Sequence, residues 1–424
     1  MNLFRKLSLL AFLACLLTSC VAEPPANSNR SVVTATPSPT ASPSPLTTTE
    51  TTSAQITLPL LDALLADEKF VAKAKQNVKL SDQQIDSLKH AANAEIARLR
   101  ESNAEDSEEN GADPRAHADQ QLRSILGDDK AKELTQLAND YWSKGDTSEA
   151  ADGKTVEMSK QPNAVPADTR VVVNIPAFRM DVFQDGSLVK SYKVGIGYPE
   201  FPLPQGLRKA QTIIFNPTWT PPDSPWVAKM KNVSPGETVE AGDKDNPLGP
   251  IKIPIGLPSL IHGGKSPARI GKFASHGCVG LTTPQVKDFA ALLARISNTS
   301  EVSDKSIDSY LKDKERTQTV KLNQVVPVEL RYETIVVEDG KLHIYKDVYS
   351  QNTNTEENLR RVLEANGLSL DDLSQQQRQQ ALDAVNSKPK KEVVIDLGTV
   401  AQKGYPAPVD LDTGTADKRG NKRG

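Results

Sequence analysis

At Thr169 the apolar residues of this 424-residue chain change their spacing. Before that point they recur at helical intervals: Ile85, Leu88, Ile96 and Leu99, then Leu122, Ile125, Leu126, Leu134, Leu137 and Tyr141. Ser81 and Gln84 stand ahead of the first set in the spacing of a capping box. After Thr169 the pattern alternates, with Val171, Val173 and Ile175 set against Val172 and Asn174. Residues 179–183 and 188–196 flank Asp185-Gly186, a hairpin turn signal. Further strands are expected at 211–215, 251–255, 320–330 and 334–345, the last broken by Glu338-Asp339-Gly340. Helices first and strands afterwards define an α+β chain, and its length exceeds one ordinary domain.

The two ends read differently. Arg5 and Lys6 precede a short apolar run at 9–17, the order of an export signal and too short for an ordinary membrane span. Leu17-Thr18-Ser19-Cys20 then resembles a bacterial lipoprotein processing site, with cleavage before Cys20 and lipid on its sulfur. The alternative is a non-lipidated signal peptide with a chance cysteine. Residues 20–54, rich in Pro, Ser and Thr, read as a tether. The expected order is therefore a leader at 1–19, the tether, a helical region at 55–145 and a linker at 146–167. A strand-rich domain follows at 168–350, with a polar insertion at 298–317. Two short helices come next at 351–388, the first ending at Asn366-Gly367, and then a disordered tail at 389–424 with one strand-like run at 393–397. Within the strand-rich domain Thr283 is the expected cap of a helix opening with Pro284 and striped by Val286, Phe289, Leu293 and Ile296.

Cysteine use narrows the chemistry. Of three cysteines, Cys15 leaves with the leader and Cys20 is expected to carry lipid, so Cys278 has no disulfide partner. It lies in Ser275-His276-Gly277-Cys278-Val279-Gly280-Leu281, shortly after Leu260-Ile261-His262-Gly263-Gly264. A thiol attacks a carbonyl as thiolate, and an imidazole can take its proton. His276, two residues away, would share a side with Cys278 in extended chain. His262, arriving from a neighbouring strand end, reaches the thiol without straining the turn and can be oriented by the Gly263 carbonyl. Gly277 and nearby N–H groups could supply oxyanion donors. His90 and His117 read as surface residues and His343 as structural. Trp219 and Trp226, in a Pro-rich segment, either line a groove or pack inside. Zinc ligation by two His and one Cys lacks the usual ligand spacings, so neither a metal nor another cofactor is expected. A net charge of −3 without a basic patch excludes a nucleic-acid partner.

Ser275-His276-Gly277-Cys278-Val279, preceded by Ile261-His262-Gly263, resembles the L,D-transpeptidase catalytic domain of the YkuD type. Asn246-Pro247-Leu248-Gly249-Pro250 and Asn216-Pro217-Thr218-Trp219 resemble recurrent features of the same family. The resemblance covers about 168–350. It implies a β-rich catalytic domain of mixed sheets, flanked here by the helical N-terminal region and the short C-terminal helices. It implies that Cys278 attacks the L,D amide before the terminal D-Ala of a peptidoglycan stem, that D-Ala leaves, and that a second stem's side-chain amine resolves the thioester as a 3→3 link. His262 then matches the proton acceptor and donor, Gly263 the orienting carbonyl, and Ser275, His276 and Gly277 the nucleophile's turn. Family members commonly carry Arg or Asn where this chain has Gly280; Arg269, in a loop slightly shorter than usual, is the expected substitute contact to substrate, with Trp219 a second substrate-binding candidate. Two alternatives stay open: a hydrolase or wall-protein attachment enzyme using the same cysteine, and a non-catalytic wall-binding lipoprotein. The expected location is the cell envelope, lipid-anchored on the periplasmic face. Val21 rather than Asp after Cys20 favours the outer membrane where there is one.

Overall fold

The computed structural model describes residues 56–101, 114–144, 158–222, 227, 230–256, 259–398 and 404–415. The expected leader, Cys20 and the tether lie outside the described residues, as does Trp226. Five helices come first: α1 (Leu58–Leu65), α2 (Glu68–Asn77), α3 (Asp82–Glu101), α4 (Pro114–Leu126) and α5 (Asp128–Lys144). Their starts follow from capping. Thr57 and Asp67 accept backbone N–H bonds at the heads of α1 and α2, and Ser81 and Gln84 satisfy each other's N–H groups at 3.1 and 3.2 Å. Leu61, Phe70, Leu88, Leu122, Leu134 and Trp142 close the bundle's own core. The bundle is anchored to the strands that follow. Thr57 Oγ1 donates to the Glu200 carbonyl at 2.6 Å, the Arg115 guanidinium donates to the Ser350 carbonyl, and α5 lies against the strand 206–215.

The strand-rich part contains β1 (Arg170–Asn174), β2 (Arg179–Gln184), β3 (Ser187–Lys193), β4 (Ile196–Gly197), β5 (Gly206–Phe215), β6 (Ile251–Pro254), β7 (Leu260–His262), β8 (Phe273–Ser275), β9 (Val279–Gly280) and β10 (Gln318–Arg331), with α6 (Thr283–Ile296) and α7 (Asp304–Lys312) between β9 and β10. One sheet runs β3-β2-β1-β10-β5-β6-β7-β9, and β4 pairs separately with β8. The β1–β10 and β7–β9 pairs are parallel. One face of the β5–β9 half, carrying Ile213, Ile253, Ile261 and Val279, packs in a common core with Val286, Phe289 and Leu293 of α6. The cap of α6 is Thr282 rather than Thr283, because Gln285 three residues later completes a capping box with it. The polar insertion 298–317 contains a helix, α7, capped by Ser303.

Two expectations for the C-terminal part are corrected. The hairpin β11 (Ile335–Glu338) and β12 (Lys341–Ile344), expected inside the strand-rich domain, leaves its sheet. It pairs instead with β13 (Val393–Asp396), and with α8 (Glu356–Ala365) and α9 (Gln375–Asn386) it encloses a separate core of Ile335, Val337, Leu342, Leu359, Leu363 and Ile395. The tail expected to be disordered from 389 instead supplies β13 and then returns to β3, where Ser191 and Lys193 donate to the carbonyls of Val409 and Asp412 at 2.9 and 2.8 Å. The two hairpin turns form as expected. Asp185-Gly186 and Asp339-Gly340 have φ of 49°, 80° and 46°, 72°, the doubly positive pattern of a type I′ turn.

Candidate active site

Ladder pairing sets a row of residues across four strands: Ile214 opposite Lys252, Lys252 opposite His262, His262 opposite Gly280. Residues paired in this way share a face, so the row lies on the side turned away from the α6 core. Cys278, two residues before Gly280, comes to the same face beside Leu260. The fold therefore brings together the two halves of the motif that sequence separates by a loop.

His262 is 3% exposed, and its Nδ1–H donates to the Gly263 carbonyl at 2.8 Å. That bond fixes the tautomer and leaves Nε2 to take a proton. Burial, with the charges of Lys265 and Lys252, pulls the imidazole down to about 3, while backbone hydrogen bonding at Gly263 and Leu248 acts the other way. The ring is neutral at ordinary pH, the state a base requires. Its turn is held from beneath by the 246–250 loop. Gly249 has φ of 67°, and a Cβ there would stand 2.4 Å from the Gly264 nitrogen. Asn246 steadies the loop by donating to the Pro217 carbonyl at 2.8 Å, which joins the two Asn-Pro segments noted in the sequence.

Cys278 is half-buried. Ser275 Oγ accepts its N–H at 3.0 Å and donates to its carbonyl at 2.5 Å, closing a turn through Gly277 at φ 93°. The turn is backed by Gly197, where a Cβ would lie 2.1 Å from the Phe201 carbonyl oxygen and 3.1 Å from the Gly277 nitrogen. The His276 ring packs edge-on against Phe201 with centroids 4.6 Å apart and lies 5.7 Å from Tyr198, which makes it part of the turn's support. Burial pushes the Cys278 thiol up, while a hydrogen bond from the Leu260 backbone and the charge of Lys265 draw it down.

Arg269 and Trp219, the expected substrate contacts, both touch protein groups here. Arg269 donates to the Tyr198 hydroxyl at 2.9 Å. Trp219, expected to line a groove or pack inside, packs inside with Val227, Val233 and Leu248 and is 9% exposed. The residue that sequence reasoning missed is Lys265. A Cβ on Gly280 would meet its Cγ, Cε and Cδ at 2.8, 3.0 and 3.3 Å, so its side chain fills the space that Gly280 leaves. Burial lowers its ammonium from the ordinary lysine value, Cys278 supports the charge and Arg269 opposes it. The available signal was a lysine three residues after His262, facing a position without a side chain.

Residues 168–320 match the family model described as YkuD, the L,D-transpeptidase catalytic domain, which bears out the resemblance for that stretch. No curated protein matches the chain. Among solved structures, the catalytic domain of the E. faecium L,D-transpeptidase is similar at 17% identity, covering 40% of this chain and 100% of that one, with a TM-score of 0.26. An L,D-transpeptidase from Mycobacterium smegmatis is similar at 14% identity, covering 39% and 59%, with a TM-score of 0.23. The Ldtfm–avibactam carbamoyl enzyme is similar at 15% identity, covering 39% and 49%, with a TM-score of 0.24. The chain thus spans about half to three-fifths of the last two.

Proposed function

We propose that this chain is a peptidoglycan L,D-transpeptidase that joins stems by 3→3 links, working from a lipid anchor on Cys20 in the cell envelope. The observation that carries the reading is the His262–Gly263 bond of 2.8 Å, which presents a neutral imidazole in one tautomer on the face that also holds Cys278. His262 takes the thiol proton at Nε2 as Sγ bonds to the carbonyl carbon of the third stem residue. The oxyanion finds its donor at the Gly277 N–H, since the Cys278 N–H is held by Ser275 Oγ. The intermediate collapses with cleavage of the C–N bond, and the departing D-Ala nitrogen receives the proton from His262. The side-chain amine of a second stem then attacks the thioester, loses its proton to His262 and leaves the thiol restored.

Incubation with a tetrapeptide disaccharide is expected to release D-Ala and form a dimer, and Cys278→Ala to abolish both. D-Ala release without dimer at high acceptor concentration would replace the transferase with a hydrolase. Absence of D-Ala release together with absence of thiol acylation by a carbapenem would sink the enzyme reading.

A further inference from the structure

Gly280 is pinned at both edges and bare on the catalytic face. It exchanges backbone hydrogen bonds of 2.8 and 2.9 Å with Gly195 on one side and pairs with His262 on the other. Its φ lies outside the left-handed region, so its backbone would accept a side chain. What occupies that space is the stem of Lys265, whose own N–H is fixed to the Leu281 carbonyl at 3.0 Å. The stem therefore lies across the residue two positions from Cys278, on the same face. Among the described residues no carboxylate pairs with Lys265. The charged groups acting on it are Cys278 and Arg269, and those acting on His262 are Lys265 itself and Lys252. A partly buried ammonium whose one favourable partner is a thiol is arranged for the moment that thiol becomes an anion.

We propose that the Lys265 ammonium, carried on a stem that lies over Gly280, is the cation that stabilises the Cys278 thiolate. A buried thiolate needs a counter-charge. In a cysteine–histidine pair the imidazolium can supply it, but here two lysines disfavour that imidazolium. Lys265 takes the counter-ion role, and His262 carries the proton only between the thiol and the leaving nitrogen. A proton held so reluctantly is donated readily to the departing amine. The inference rests on the reading above only in taking Cys278 as the nucleophile, and it holds for any acyl donor.

The test needs no peptidoglycan, so its failure is separable from that of the transferase reading. The full chain is alkylated with iodoacetamide across pH, and peptide mass spectrometry resolves Cys278 from Cys15 and Cys20. Lys265→Met, which keeps the stem, is expected to move the inflection up by about one pH unit or more. Lys265→Arg is expected to leave it near the wild-type position. Lys265→Ala with Gly280→Lys, which grows the cation from the opposite side of the same space, is expected to bring the inflection back. A merely structural loss would not be recovered by that exchange. An unmoved inflection in Lys265→Met, equal behaviour of the Met and Arg variants, or a double variant that stays shifted would each overturn the proposal.

Discussion

Acid should destabilise this protein through His262, and the size of the effect follows from its surroundings. The imidazole is held neutral from its ordinary 6.5 down to about 3, first by burial and then by Lys265 and Lys252. The unfolded chain binds a proton at this residue below about 6.5 and the folded chain does not, so stability is full above that pH and falls as the pH drops toward 3. At about 1.4 kcal/mol per pH unit, the loss is roughly 2 kcal/mol by pH 5 and roughly 4 kcal/mol by pH 3, where the folded-state imidazole is itself half-protonated. Carboxylates titrate in the same interval, so the quantity to measure is a difference. Urea unfolding would be followed by Trp219 fluorescence in a Trp142→Phe/Trp226→Phe background, with and without His262→Gln. Trp219 packs against Leu248, whose backbone meets His262, so the probe reports this part of the molecule. The His262→Gln chain should be less sensitive, its stability curve diverging upward relative to the parent by about 2 kcal/mol between pH 7 and pH 5. Parallel curves would show that His262 protonates equally in both states, and the description of a buried neutral base would be wrong.

Two glycine substitutions should separate. Gly197→Ala places a Cβ 2.1 Å from the Phe201 carbonyl oxygen and should cost about 2 kcal/mol or more in thermal unfolding, whereas Gly280→Ala meets only the methylenes of Lys265 and should cost less than about 1 kcal/mol. Arg208 is 2% exposed, none of its guanidinium nitrogens has a hydrogen-bond partner among the described residues, and burial lowers it to about 10. Arg208→Met should therefore be neutral or stabilising in urea unfolding, and a loss beyond about 2 kcal/mol would contradict that. Trp219→Ala should act through its core, at about 3 kcal/mol in urea unfolding, and a change in substrate KM with unchanged stability would contradict that.

What could be read from the sequence was local. Periodicity marked the helices from Ile85 and the strands from Val171, and the two Asp-Gly turns carried their own φ requirement. That His262 and Cys278 come together was legible because both sit in short, distinctive segments. What escaped depends on partners far away in sequence. The β11–β12 hairpin belongs to the C-terminal core because β13, about fifty residues later, pairs with β12. The 404–415 segment looked like tail because it joins the domain largely by backbone bonds in both directions: Lys193 and Gln285 donate to the Asp412 carbonyl, and the Asp412 and Tyr405 N–H groups donate to Ser191 and Val337. Backbone contacts of that kind leave no mark in side-chain pattern. Trp219 was ambiguous because an irregular Pro-rich segment can pack inward as readily as it can face a groove.

The turn that carries Cys278 owes its placement to positions where a side chain is missing. A Cβ at Gly197, Gly249 or Gly263 would come within 2.1, 2.4 or 2.6 Å of another segment, so three parts of the chain meet there with almost no slack. His262 and Cys278 are then held by backbone pairing and by short bonds to Gly263 and Ser275. Lys265 is different, because four rotatable methylenes separate its charge from the fixed N–H at Leu281. Substitutions at the three crowded glycines should therefore lower stability and rate together, since both depend on the same close approach. Substitutions at 265 and 280 should change the pH response of the thiol while the fold persists. His262 and Cys278 are thus held by geometry, whereas the charge proposed to ready the thiol arrives on a flexible side chain.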